Sequence, residues 1–339
     1  MVSAGCLEAI LNTLSEGVLI MDEQLLLQAV NPKAQTLFGV SGDCSRSLLE
    51  ATRSIELETL ARQSLERNRS EEQDITLYAA GEQQHFHVRT APLPQGEGLA
   101  MSLAEFTRLR KLEQVRKDFA ANVSHELRTP IQLIKGFAET LLDSLPEDTE
   151  RIRHYLGIIL KNAQTMEHLT ADLLTLVSLE EGDRIPFAMQ ETLVYPLLQE
   201  AADLVEPAAR KKNITLSLNC PADLKAVLYG PFIIQGAINL LDNGVKYSPE
   251  GSKVRLEATA QAGELVIAVR DKGIGIAPRH LKRIFERFYR VDPARSRSHG
   301  GAGLGLAIVR HIASIHRGVA EAESHAGEGS IFRIRIPLK

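Results

Sequence analysis

The run Asn122-Val-Ser-His-Glu-Leu-Arg-Thr-Pro130 sets a titratable nucleophile beside a carboxylate inside a long amphipathic helical pattern. A neutral ring nitrogen of His125 can attack a phosphoryl group near pH 7, and Glu126 can hold the proton of the other nitrogen. Thr129, four residues on, falls on the same helical face as His125. A His-Glu pair on a helix is ordinarily just a solvated surface pair, so the segment gains meaning only from what lies elsewhere in the chain.

Further downstream come Asn239-Leu-Leu-Asp-Asn243-Gly-Val-Lys246-Tyr247, then Asp271-Lys-Gly273-Ile-Gly275, then Gly300-Gly301-Ala-Gly303-Leu304-Gly305. Asn239 and Asn243 are i,i+4, so on a helix both amide oxygens face one way and can approach a hydrated Mg²⁺ between phosphates. Asp271 ends the alternating strand pattern Leu265-Val-Ile-Ala-Val269, and the glycines after it allow close backbone approach to a flat base, whose exocyclic amine the carboxylate can bind. The last glycine cluster precedes the apolar run Leu306-Ala-Ile-Val309, which places backbone N–H groups at a helix N-terminus suited to phosphate. Each motif alone is a weak signal; together they describe a nucleotide site.

With the His125 segment ahead of them, these motifs resemble, in order and separation, the sensor histidine kinases of two-component signalling over roughly residues 106–339. In that family's terms Phe119 to Pro130 looks like the H box, Asn239 to Tyr247 the N box and Asp271 to Gly275 the first glycine box. Ile284-Phe-Glu-Arg-Phe-Tyr-Arg290 is similar to the F box, and Gly301 to Gly305 to the second glycine box. The segment Arg108 to Leu142 is also similar to phosphate-responsive sensor kinases. Two positions depart from the family pattern: Gly244 stands where Ala is frequent, and Ala302 where Thr or Ser is frequent. Gly244 costs about 1 kcal/mol of helix propensity relative to Ala, and Ala302 removes one possible hydroxyl contact to phosphate.

The resemblance implies ATP and Mg²⁺ as cofactors. It puts adenine at Asp271 with Gly273 and Gly275 beneath it, and Tyr247 beside the base or ribose. Asn239, Asn243 and Lys246 then hold the triphosphate and metal, the glycine cluster Gly301, Gly303, Leu304 and Gly305 holds phosphate, and Arg290 lies near the γ-phosphate. His125 is then the phosphoacceptor, with Glu126 as its acid/base partner, and the phosphoryl group passes to an aspartate of a response regulator receiver domain. Thr129 could position water for the reverse, phosphatase reaction; its plain alternative is a helix residue before Pro130. Two other functions stay open at this point: an ATPase or protein kinase of the same nucleotide fold that does not use His125, and a degenerate kinase serving as a dimeric scaffold.

At 339 residues, 44% of them apolar, the chain has material for two or three domains. A net charge of −4 gives no footprint for direct nucleic-acid binding. Cys6, Cys44 and Cys220 are widely spaced and odd in number, so neither a disulfide framework nor a zinc site is suggested, and a reducing cytoplasm is expected. No apolar run reaches the ~18 residues of a membrane span, and no signal peptide is evident. The expectation is a cytoplasmic protein, or the cytoplasmic portion of an inner-membrane sensor if the native protein has a span outside this chain.

The fold class expected is multidomain α+β. Residues 1–105 resemble a PAS sensor domain through Glu16-Gly-Val-Leu-Ile-Met-Asp22 and Asn31-Pro-Lys-Ala-Gln-Thr-Leu-Phe38, with a helical start at Leu7 to Leu14 and strands at Gly17 to Met21, Ile75 to Ala79, His85 to Thr90 and Leu99 to Ala104. His85 and His87 would share one strand face as a possible metal pair, but no third ligand is in view and surface histidines are the simpler reading; no cofactor is assigned to this domain.

Residues 106–180 are expected to form a dimerisation and phosphotransfer hairpin. Leu109, Leu112, Val115 and Phe119 make a seam for a partner helix, flanked by basic residues read as a solvated face rather than a membrane patch. Pro130 is expected to kink the first helix, and Pro146, Glu147 and Asp148 to mark the turn. Ile152, Tyr155, Ile159, Ala163, Met166, Leu173 and Leu176 stripe the second helix, and so broad a face predicts a homodimer closed as a four-helix bundle. After a linker at Glu180 to Arg184, residues 190–339 alternate helices (194–211, 231–246, 303–315) with strands (215–218, 253–260, 265–270, 330–337). That pattern resembles the α/β sandwich of the GHKL (Bergerat) ATP-binding type, with Ile276 to Gly301 as its lid and Arg283, Arg287 and Arg290 on one helical face.

Overall fold

The computed structural model describes residues 4–40, 46–79, 82–143, 148–180, 188–292 and 302–338. It divides into two compact units, Met1–Asp118 and Phe119–Lys339.

In the first unit, α1 (Ala4–Thr13) leads into an antiparallel five-stranded sheet of β1 (Gly17–Met21), β2 (Leu27–Val30), β3 (Glu71–Ala79), β4 (Glu82–Pro92) and β5 (Leu99–Glu105), ordered β2-β1-β5-β4-β3. Strand alternation does the sorting: Leu19 and Met21, Phe86 and Val88, and Leu99, Met101 and Leu103 all point into one core. The helices α2 (Pro32–Phe38), α3 (Leu48–Thr52) and α4 (Ile55–Arg67) lie between β2 and β3 and went unread in the sequence. They are short or strongly charged, and their signals are caps. Asn31 accepts N–H bonds from Val18 and Ala34 on Oδ1 and donates through Nδ2 to the carbonyls of Leu11 and Glu16, so it starts α2 and ties it to β1 and the end of α1. Ser47 and Glu50 form a reciprocal capping box on α3. On the outer sheet face His87 Nδ1 lies 2.7 Å from Asp74 Oδ1 and His85 Nδ1 lies 2.9 Å from Thr76 Oγ1. Cys44 lies outside the described residues.

The second unit contains most of α5 (Thr107–Asp143), then α6 (Thr149–Glu180) and an α/β layer pair. The rings of Phe137 and Tyr155 meet at 5.3 Å, which sets the two long helices side by side as a hairpin. Pro130 is buried within α5, and the helix runs on through it. The expected turn residues Pro146 and Glu147 lie outside the described residues, as does most of the linker after Glu180.

Beyond the hairpin a small pair, β6 (Gln190–Leu193) with β8 (Lys225–Leu228), flanks a mixed five-stranded sheet ordered β11-β12-β10-β9-β7. The latter comprises β7 (Thr215–Asn219), β9 (Lys253–Gln261), β10 (Glu264–Arg270), β11 (Val319–His325) and β12 (Gly329–Pro337). Only β7 and β9 run parallel. The helices α7 (Val194–Lys211), α8 (Gly230–Tyr247) and α10 (Gly305–Ile315) cover one face, and α9 (Pro278–Leu281) is a single turn. The apolar stripe of α8, Ile233, Ala237, Leu240, Leu241 and Val245, packs into the core with Val254, Ile267, Ile308 and Ile312.

The same core takes in Leu169, Leu176 and Leu179 of α6, with Leu127 of α5 packed at its margin. The lower part of the hairpin is therefore docked on the α/β layers, while Leu156 and Leu160 higher on α6 remain 52% and 60% exposed.

Candidate functional site

Asn239 and Asn243 face one way from α8, as their spacing requires, and the last turn of that helix adds Lys246 and Tyr247. Asn239 is the more informative of the pair. Its Nδ2 is buried and has no hydrogen-bond partner among the described residues, and its Oδ1 lies 3.0 Å from where a Cβ on Gly305 would stand. The N-terminus of α10 thus abuts the amide of Asn239, and any side chain at 305 would fill the space between them. Leu304 is fully buried and caps α10 with no side-chain bond, leaving the first turn's N–H groups to an anion.

Asp271 is only 6% exposed at the end of β10, and burial raises its carboxyl above the usual range while N–H bonds from Gly273 and Ser330 pull it back. Both of these bonds land on Oδ1, at 2.7 and 3.2 Å, so Oδ2 is the oxygen a ligand amine could use. The glycines beneath it are steric necessities. A Cβ on Gly273 would come within 2.8 Å of the Tyr247 carbonyl oxygen, and one on Gly275, at φ +66°, within 1.9 Å of the His325 carbonyl oxygen.

Sequence reasoning missed the far wall. Gly329, at φ +101°, lets β12 pass under the Asp271 carbonyl, and Ser324 Oγ accepts from the Ile276 N–H while donating to the Gly329 carbonyl. Gly329, the first residue of β12, was the available signal.

Gly303, at φ +74°, accepts the Phe288 N–H at 2.9 Å and could carry no Cβ without meeting the Phe288 and Tyr289 backbone. The two sides of the lid segment are tied there; Gly301 lies outside the described residues. The three arginines before it do not share a helical face, because the chain after α9 runs in turns. Arg283 bonds Glu286 and stacks on Tyr289, Arg287 sits over the Phe119 ring at 5.6 Å, and Arg290 reaches Glu126 with Nη2–Oε2 at 2.8 Å. Phe288 itself lies against Phe119 at 5.8 Å. Phe119, expected to share a helix seam with Leu109, Leu112 and Val115, has its ring against the F-box segment of the same chain; the side chains of those other three lie outside what the structure describes. Phe119 and Glu126 are i,i+7 on one face of α5, and the turn segment grips that face.

His125, one residue aside, is exposed. Thr129 is exposed too, with Oγ1 at 3.5 Å from the His125 carbonyl oxygen. The charge field around α8 couples the parts. Burial first, then the positive charge of Arg290, brings the Lys246 ammonium down to about 8, with Asp242 opposing. Half-buried Asp172 of α6 is pushed up to about 6 by burial, with His168 opposing and Asp242 adding to it.

Comparison with known proteins follows this geometry along the chain. Residues 230–339 match the family model described as histidine kinase-, DNA gyrase B- and HSP90-like ATPase, residues 115–182 the His Kinase A (phospho-acceptor) domain, and residues 5–73 the PAS domain. The chain belongs to the sensor histidine kinase family. Among curated relatives, the sensor-like histidine kinase SenX3 of Mycobacterium tuberculosis is 38% identical over 227 residues, covering 67% of this chain and 55% of SenX3. The phosphate regulon sensor protein PhoR of Pseudomonas aeruginosa is 41% identical over 239 residues, covering 68% of this chain and 52% of PhoR. The chain thus spans about half the length of these relatives.

The fold of this sensor histidine kinase chain is similar to that of histidine kinase ThkA, solved in complex with response regulator protein TrrA: TM-score 0.54, 23% identity, 98% of both chains covered. Among the described residues, no helix is long and apolar enough to cross a membrane.

Proposed function

We propose that this chain is an ATP-dependent histidine autokinase that phosphorylates His125 and passes the phosphoryl group to an aspartate on a response regulator, with phosphatase activity toward that regulator. The observation that carries the reading is the 2.8 Å ion pair between Arg290, beside the nucleotide lobe, and Glu126, next to the exposed His125. It puts the two halves of a phosphotransfer reaction within one compact unit.

Asp271 receives the adenine amine on Oδ2, with Tyr247 alongside the base. The α10 N-terminus, Lys246 and Arg290 supply positive potential to the triphosphate. Mg²⁺ would neutralise phosphate charge, and the side-chain oxygens of Asn239 and Asn243 would hold it; the buried, unpartnered Nδ2 of Asn239 is a donor and suits a phosphate oxygen. The His125 ring nitrogen must come in line with the γ-phosphorus at about 3–3.5 Å, so the docked lobe has to release Glu126 and swing. Glu126 then orients the imidazole and takes its other proton, and Thr129 positions water for the reverse reaction.

The exposed Leu156 and Leu160 on α6 and Ile131 and Leu133 on α5 give the hairpin an apolar surface for a second copy, supporting a homodimer. ThkA, whose fold is similar, is solved with a response regulator, which supports a receiver domain as the partner.

The test is labelling with γ-phosphate-labelled ATP. Wild type is expected to hold an acid-labile, base-stable phosphate; His125→Ala to lose the label but bind ATP; Asn243→Ala and Asp271→Asn to lose both. Equal labelling of wild type and His125→Ala would overturn the reading.

A further inference from the structure

The end of α8 is held by a residue that none of the motifs contains. Lys212, just past α7, sends its Nζ to three carbonyl oxygens at the end of α8: Val245 at 2.9 Å, Lys246 at 2.8 Å and Ser248 at 2.8 Å. An ammonium group has three N–H donors, and all of them are spent here, at the negative end of a helix dipole. The backbone of Lys212 is fixed as well, donating to the Ala209 carbonyl and accepting from Gly251.

The turn so held is the one that carries Asn243, Lys246 and Tyr247. Its next carbonyl, that of Tyr247, is the atom a Cβ on Gly273 would strike at 2.8 Å, so the loop carrying Asp271 rests directly on the same turn. A shift in the end of α8 therefore displaces the phosphate-side and base-side groups together.

We propose that Lys212 is a positioning residue for nucleotide binding, setting the last turn of α8 so that Asn243, Lys246 and Asp271 meet one ligand. The inference rests on the nucleotide reading above. Lys212 touches no reacting atom; bound nucleotide re-imposes the geometry of the turn, so loss of the clamp appears in affinity and leaves turnover at saturation unchanged.

The experiment compares wild type, Lys212→Met and Lys212→Arg in the full chain. A stability control, Arg335→Met, breaks the Glu264 pair at the other end of β10. Calorimetric titration with Mg-ATP and autophosphorylation kinetics are the readouts. Lys212→Met is expected to raise Kd and KM for ATP by about tenfold or more with kcat within about twofold, Lys212→Arg to recover most of the affinity, and Arg335→Met to leave KM unchanged.

Amide hydrogen exchange without nucleotide should quicken at 245–248 and at 272–274 in Lys212→Met. That measurement, made with Lys212→Gln, serves equally if the Met variant does not fold. Wild-type affinity in Lys212→Met, or unchanged exchange at 272–274, overturns the assignment of Lys212. Failure of wild type itself to bind Mg-ATP overturns the nucleotide reading and this inference with it.

Discussion

Arg290 Nη2 and Glu126 Oε2 stand 2.8 Å apart, with the two side chains 13% and 30% exposed. The pair joins a turn beside the nucleotide lobe to the phosphoacceptor helix, and the Phe119–Phe288 contact seven residues back on α5 reinforces it. A partly buried pair of this kind couples by about 0.5–3 kcal/mol. The charge reversals Arg290→Glu and Glu126→Arg should each loosen the dock and raise hydrogen exchange across residues 284–290, while the double reversal should restore protection. Additive effects in the double variant would show that the two charges do not cooperate.

Gly244 is explained by its neighbour. A Cβ there would stand 2.9 Å from Val254 Cγ1 and 3.4 Å from Cγ2, and a β-branched side chain has little rotamer freedom to retreat. Ala would gain about 1 kcal/mol of helix propensity against overpacking of about 1–3 kcal/mol. Gly244→Ala is therefore expected to lower the unfolding midpoint of the second unit, and adding Val254→Ala to relieve the overpacking. Thermal melts of the single and double variants decide it; a stabilised Gly244→Ala single variant would contradict the packing argument.

How far the sequence could be read follows from where each signal resides. The bounds of α7 and β10 were legible because Leu198, Ala201 and Val205 recur at helical spacing and Leu265, Ile267 and Val269 alternate. By contrast β11 reads Val-Ala-Glu-Ala-Glu-Ser-His, an edge strand whose inward residues are small, so its alternation carries little hydrophobic contrast. The motif residues of α8 and the Asp271 loop were legible as types at spacings. The partner of Arg290 was not, because Glu126 lies 164 residues away and only tertiary docking brings them together. Lys212 was hidden for a related reason: its three acceptors are backbone carbonyls, which leave no trace in side-chain identity.

Lys246 should report nucleotide binding through protons. Burial and the charge of Arg290 hold its ammonium down to about 8, so at pH 8.5 a substantial part of the free protein has it neutral. A bound triphosphate favours the charged form, and binding at that pH should take up protons; at pH 6.5, where Lys246 is already charged, its uptake should vanish. Calorimetry in buffers of different ionisation enthalpy measures this directly. Lys246→Met should abolish the pH 8.5 uptake. Arg290→Met should diminish it by letting the Lys246 pKa rise. An uptake at pH 8.5 that is identical in Lys246→Met would assign the proton elsewhere.

Asp172 gives the unit a pH signature of opposite origin. Burial raises its carboxyl to about 6, and the charge of Asp242 adds to the shift while His168 opposes it. Between the unfolded carboxyl's titration, near 3.8, and 6 the folded state binds more protons than the unfolded one, so stability falls as pH rises through that window. Above 6 the folded protein carries an unfavourable buried charge. Asp172→Asn removes that charge while keeping the shape, and it should stabilise the second unit by about 1–3 kcal/mol at pH 7.5. The gain should shrink toward zero near pH 4, where the native acid is itself neutral in the fold. Denaturant melts of both proteins across pH 4 to 8 measure the difference, and a gain that stays constant over the range would mean that Asp172 is not the group titrating.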